Sequence, residues 1–189
     1  MARINPAPQL DRLEEALTRA RAGDVEGLHQ VRVVARRLLV WLELAEARTL
    51  RDDLKWLLRE TSALRDLDVF DALLTPEGRA ALRPAAEKRA RAALTSPRTR
   101  ALVAAFRALG TVRRRRANRV LAELERALGH SRFEETDDQL HALRKLVRRV
   151  RYAREWLGLD AEPVRALQDA LGAVCDVIAL QRLTLSRGA

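Results

Sequence analysis

Apolar residues recur at i, i+3, i+4 and i+7 through almost the whole chain, the period of amphipathic α-helices. Pro6 and Pro8 precede a first predicted helix over 9–22. Ala22-Gly23-Asp24 ends it, and Asp24 is placed to cap a second over 25–47. A third is predicted over 50–74, stopping where Thr75 can cap a fourth helix that has Pro76 at its first position. Ser96-Pro97 repeats that signal. Residues 98–128 read as one helix or as two broken at Gly110, 129–136 as a loop, and the last two helices span 137–158 and 162–183. No strand alternation is found. The pattern predicts an all-α protein of antiparallel helical bundles with short connections.

The chain also writes one stretch twice. LHQVRVVARRL begins at Leu28 and LHALRKLVRRV at Leu140, 112 positions later. A second pair follows, LKWLLRETSALRDLDVF from Leu54 and VRALQDALGAVCDVIAL from Val164. Their alignment pairs Asp66 with Asp176, Leu64 with Val174 and Lys55 with Arg165. Such duplication predicts two pseudo-symmetric helical bundles, 9–109 and 110–185, forming one compact domain over 9–185.

On a helical wheel at about 100° per residue, Arg32 and Arg36 fall within about 60° of His29, with Arg37 about 80° to the other side. Leu28, Val31, Val34, Ala35, Leu38 and Leu42 fill the opposite arc. In the second copy His141, Arg144, Lys145, Arg148 and Tyr152 share a face, with Arg149 alongside, opposite Leu140, Leu143, Leu146, Val147 and Val150. A solvated helix face ordinarily mixes charge signs, because like-charge neighbours cost stability. From His29 to Leu42 and from His141 to Arg154 there is no acidic residue. Two such stripes related by a two-fold are expected to line one basic groove, whose mutual repulsion an anion would relieve.

Composition agrees. The 189 residues carry a net charge of +10, and Lys55, Lys88 and Lys145 are the only lysines among 36 basic residues. That balance points to a polyanion: nucleic acid, an anionic membrane or a phosphate polymer. Arginine suits phosphate through its two-pronged fork, although a GC-rich genome also raises arginine content. The single cysteine, Cys175, excludes an internal disulfide and a Cys-based zinc site. The chain start shows no signal-peptide pattern, and no uncharged apolar run approaches the ~20 residues of a membrane span. A cytoplasmic protein without a membrane partner is expected.

Other features carry less. Asp66 and Asp68 point about 160° apart on one helix, so with Asp71 they do not converge on a metal, and salt bridges are expected instead. His130 is remote in sequence from the other two histidines, and flanking arginines would repel a cation. No metal, cofactor or catalytic constellation is expected. Arg113–Arg116 spray around their helix, leaving Arg115, Arg119 and Arg126 outward. Trp41, Trp56 and Trp156 are expected in the core. Aromatic content of 4% offers little stacking platform for single-stranded nucleic acid.

The combination of LHxxRxxxRR with LxxLRDLDV, then LHxLRKxxRRxRY with LQDxLGxxxD, resembles the CHAD family, named for a conserved-histidine α-helical domain. The resemblance covers about Leu10 to Leu183. It implies two pseudo-symmetric bundles and a basic surface that binds inorganic polyphosphate without catalysis, with recruitment to polyphosphate granules. Carried over position by position, the implied binding residues are His29, Arg32, Arg36, Arg37 and Lys55, then His141, Arg144, Lys145, Arg148, Arg149, Arg151 and Tyr152. The first copy has Val33 and Leu39 where the second has Lys145 and Arg151, so the second stripe is expected to dominate. Family members are often fused to a triphosphate-tunnel domain, whose alternating EXEXK strand has no counterpart here. Sequence-independent nucleic-acid binding is the alternative.

Overall fold

The computed structural model describes residues 2–69, 75–131 and 136–185, with side chains described through 174. Among these residues the secondary structure is helical apart from two two-residue strands, β1 (Arg3–Ile4) and β2 (Val112–Arg113), which the sequence pattern did not announce. The chain divides into two compact units: Asn5–Val112, and Arg113–Ala189 together with Met1–Ile4.

The first unit holds α1 (Ala7–Arg21), α2 (Val25–Leu44), α3 (Arg51–Glu60), α4 (Ser62–Val69), α5 (Pro76–Thr95) and α6 (Pro97–Ala108). Helices α1 and α2 form a hairpin. Gly23 closes α1 with a φ of 89°, a conformation glycine adopts without steric cost. The Asp24 carboxylate then accepts from the Glu26 N–H at 3.0 Å, capping α2 as expected. Gly27 lets the hairpin close, since a Cβ there would lie 2.7 Å from the Ala20 nitrogen. Leu10, Leu13 and Leu17 of α1 are buried, as are Val31, Ala35, Leu38 and Leu42 of α2 and Leu54 and Leu57 of α3. The Trp41 ring meets Phe106 of α6 at a centroid distance of 5.8 Å. Thr75 and Ser96 cap α5 and α6 through the Gly78 and Thr99 N–H groups, each at 3.1 Å, as the Thr-Pro and Ser-Pro signals predict.

The helix expected over 50–74 is interrupted at Thr61, which takes φ −98° and ψ 1° as the C-cap of α3. Its side chain is turned back on the helix, donating to the Leu57 carbonyl at 2.8 Å. Residues 70–74 lie outside the described residues. The choice left open at Gly110 resolves as a break, with φ 71° there between α6 and α7.

The second unit contains α7 (Arg114–Gly129), α8 (Asp137–Trp156) and α9 (Glu162–Leu185), with α8 packed on both neighbours. Leu140, Val147 and Leu171 form a buried cluster in it, flanked by Leu128, Leu143 and Val164. Arg114 donates its backbone N–H to the Ala2 carbonyl at 3.1 Å, so the first residues of the chain complete this unit.

The repeated stretches occupy helices of equal length, α2 and α8 at 20 residues each. Each histidine is the fifth helical residue. The ends match too: Ala47 N–H reaches the Leu42 carbonyl at 2.8 Å, and Leu159 N–H reaches the Arg154 carbonyl at 3.0 Å. Both are Schellman closures, with the left-handed position filled by Glu46 (φ 52°) in one and Gly158 (φ 62°) in the other. A left-handed conformation costs a non-glycine residue about 1–2 kcal/mol. A Cβ at Gly158 meets nothing within 4 Å, so Gly158→Ala should lower stability by about 1 kcal/mol from backbone strain alone. Glu46→Gly should raise it; urea denaturation of the two variants checks both signs.

Candidate anion-binding faces

The apolar stripes of α2 and α8 fix which residues turn outward. On α8, His141 and Lys145 are exposed, while Arg144, Arg148 and Arg149 are half-buried. The Arg144 guanidinium extends toward α9, where a Cβ on Gly172 would lie 3.8 Å from its Nη2. That glycine lies inside LQDxLG in the middle of α9, where a glycine marks a close approach by a neighbour. On α2, His29, Arg36 and Arg37 are half-buried, and on α3 Lys55 is exposed with its ammonium 3.7 Å from Asp52.

Arg32 departs from the expected outward stripe. It is only 6% exposed. Its Nη1 donates to the Leu58 carbonyl and, at 2.9 Å, to Thr61 Oγ1. The guanidinium thus seals the C-terminal end of α3, where carbonyls lack helical donors and a cation is favoured by the helix dipole. The same contact lies at the interruption at Thr61. The wheel placed Arg32 at the edge of the basic arc, and α3 packs over that edge. Arg144, its counterpart in the repeat, stays half-buried on α8.

Tyr152 also differs from its expected place. It is buried, at 4% exposure, with the Arg151 guanidinium 4.7 Å above its ring. Arg151 further sits 3.3 Å from the Glu155 carboxylate, so a carboxylate and a ring already occupy it. Glu155 also lies 3.9 Å from Arg165, which pairs with Glu162 at 3.2 Å. Arg154, at the end of the stripe, ion-pairs with Glu125 of α7.

The remaining expectations separate cleanly. Asp68 pairs with Arg83 of α5 at 2.8 Å and Asp66 lies 3.6 Å from Arg65, which is salt-bridge work, while Asp71 falls outside the described residues. Among the described residues no His, Cys, Asp and Glu cluster could hold a metal, and no helix is long and apolar enough to cross a membrane. Arg115, Arg119 and Arg126 are exposed. Of the tryptophans only Trp41 is fully buried; Trp56 and Trp156 are half-buried, and Arg98 lies 4.6 Å over the Trp56 ring.

The field on α8 is visible in His141. Although its ring reaches solvent, burial by neighbouring groups, then the charges of Lys145, Arg144 and Arg148, hold its pKa below 6.5, with Asp138 opposing. A base whose folded pKa is lowered binds protons more readily when unfolded. Its contribution to stability therefore falls as pH drops below about 6.5 and stops changing below the lower folded value. His141→Gln should flatten that part of the stability profile, measured as urea midpoints between pH 7.5 and 5. For Arg32→Met we expect a loss of roughly 1–3 kcal/mol by the same assay, because buried acceptors are left unmet.

Comparison with known proteins follows the same lines. A family model described as the CHAD domain matches residues 7–184. The chain is similar to the crystal structure of the CHAD domain from the plant Ricinus communis, with a TM-score of 0.71 and 24% identity over 90% of this chain and 70% of that one. No curated protein matches it.

Proposed function

The chain belongs to the CHAD family, which is associated with polyphosphate binding in general, and on that premise we propose that it is a non-catalytic binder of inorganic polyphosphate. The observation that carries this reading is the face of α8, where His141, Arg144, Lys145, Arg148 and Arg149 gather with no acidic residue from His141 to Arg154. Like charges gathered on one helix face repel one another. A linear anion with about one charge per phosphate relieves that repulsion. Arginine forks can each take two oxygens of one phosphoryl group, and no ring is needed because the ligand has no bases.

The face of α2 contributes His29, Arg36 and Arg37, with Lys55 on α3. Arg32 supports that face from beneath, and Arg151 and Tyr152 do the same on α8. The α8 face is the stronger binder in this reading, since Lys145 stands where α2 has Val33. Recruitment to cytoplasmic polyphosphate granules would follow from binding alone. Nucleic acid is the second reading, through phosphate contacts without sequence preference. Single-stranded nucleic acid would also need stacking rings, and Trp41 is buried while Arg98 lies over the Trp56 ring.

Calorimetric titration with long-chain polyphosphate at physiological salt, beside duplex DNA of matched charge, tests the reading. Polyphosphate should bind at least roughly 10-fold more tightly, and its affinity should fall steeply with salt as counterions are released. Arg144→Ala with Arg148→Ala should weaken binding roughly 10-fold or more, since bonds to charged groups contribute ~1.5–3 kcal/mol each. Arg115→Ala with Arg119→Ala should change it little. Equal losses in both pairs, or equal affinity for DNA, would reduce the face to a generic cationic surface.

A further inference from the structure

A cleft of about 450 Å³ on the first unit lies between α1 and α6 and plays no part in the reading above. Its charged lining is Arg21, Arg100 and Arg107 against the single carboxylate of Glu14. Arg107 is already committed, with Nη2 donating to Glu14 at 2.6 Å and Asp11 at 2.8 Å. That leaves Glu14 balanced and the other two arginines to account for.

Arg21 donates Nε–H to the Leu94 carbonyl at 3.0 Å, and Arg100 donates from Nη1 to the Thr95 carbonyl at 2.9 Å. These are consecutive carbonyls at the end of α5, on residues whose Cα atoms sit about 3.8 Å apart. One guanidinium arrives from α1 and the other from α6, and both are tethered to the same helix end. Among the described residues neither has an acidic side chain within ion-pair distance. Elsewhere on this unit Arg83 meets Asp68, Arg89 meets Glu60 and Arg98 meets Asp53.

Capping the carbonyls of α5 explains one N–H on each side chain, and each guanidinium has five. The dipole of α5 holds two like charges together at its C-terminal end, leaving further donors at the edge of the cleft. Fixing a long side chain beforehand removes part of the entropy that binding would otherwise cost. Thr18 lines the same cleft, but its hydroxyl donates to the Glu14 carbonyl at 3.0 Å. The cleft floor is apolar, with Leu17 and Val103.

We propose that Arg21 and Arg100 form a separate oxyanion site that takes neighbouring phosphoryl groups of a short inorganic phosphate chain. It uses no residue of the α2 or α8 faces, so it stands whether or not those faces bind polyphosphate. Two guanidiniums tethered to one helix end and lining one cleft suit two linked phosphoryl groups better than one, and the cleft is too small for a nucleic-acid duplex.

The probe is tripolyphosphate, followed by the 15N resonances of arginine Nε in the Arg144→Ala, Arg148→Ala protein, so that the α8 face does not contribute. Saturable shifts at Arg21 and Arg100 are expected, with orthophosphate roughly 10-fold weaker. Arg21→Gln keeps a donor for the Leu94 carbonyl and should weaken saturation at Arg100 by roughly 10-fold; Arg100→Gln should do the converse at Arg21. Shifts that never saturate, that potassium chloride reproduces at equal ionic strength, or that survive both substitutions would overturn the site. Loss of polyphosphate affinity on changing Arg144 and Arg148 is read separately, by comparing that protein with the unaltered one.

Discussion

A helix that must bury one stripe and charge the other has little freedom, and α2 and α8 are both under that constraint. Val31, Ala35 and Leu38 of α2, and Val147, Val150 and Ala153 of α8, are sealed from water. Their burial of apolar area, worth roughly 25 cal/mol per Å², fixes the rotation of each helix about its axis. Once rotation is fixed, the arginines away from the border of the apolar arc have an assigned direction. The cationic faces follow from the apolar ones.

The same constraint explains why two equivalent arginines do different work. Arg32 and Arg144 occupy the same place in the repeat, yet α3 ends against Arg32 and draws it inward to the Leu58 carbonyl and Thr61. Arg144 instead reaches along α9 beside Gly172. A side chain near the border of an amphipathic arc can turn to either side. The neighbouring helix decides which.

The helical class, the three side-chain caps and the register of the repeat were legible because each rests on local spacing: Asp24, Thr75 and Ser96 announce their helices, and α2 and α8 share one pattern. The break at Thr61 was not legible. No proline or glycine stands there, and the guanidinium that meets the break comes from 29 residues earlier in the chain. Tyr152 misled for a related reason: its wheel position is shared with exposed cations, but a ring has apolar area to bury and Arg151 can cover it. Trp56 went the other way, half-exposed beneath Arg98. Periodicity orders residues around one helix axis; it carries no information about which neighbour lies across the border.

The backbone bond from Arg114 to Ala2 also has a bearing on biosynthesis. Asn5–Val112 form a unit from one uninterrupted run of chain, able to take shape as it leaves the ribosome. The other unit joins residues 1–4 to those from position 113 onward. Ala2 must wait for its partner Arg114 through the synthesis of more than a hundred residues between them. A stretch made before the first unit therefore finds its place only after that unit is complete.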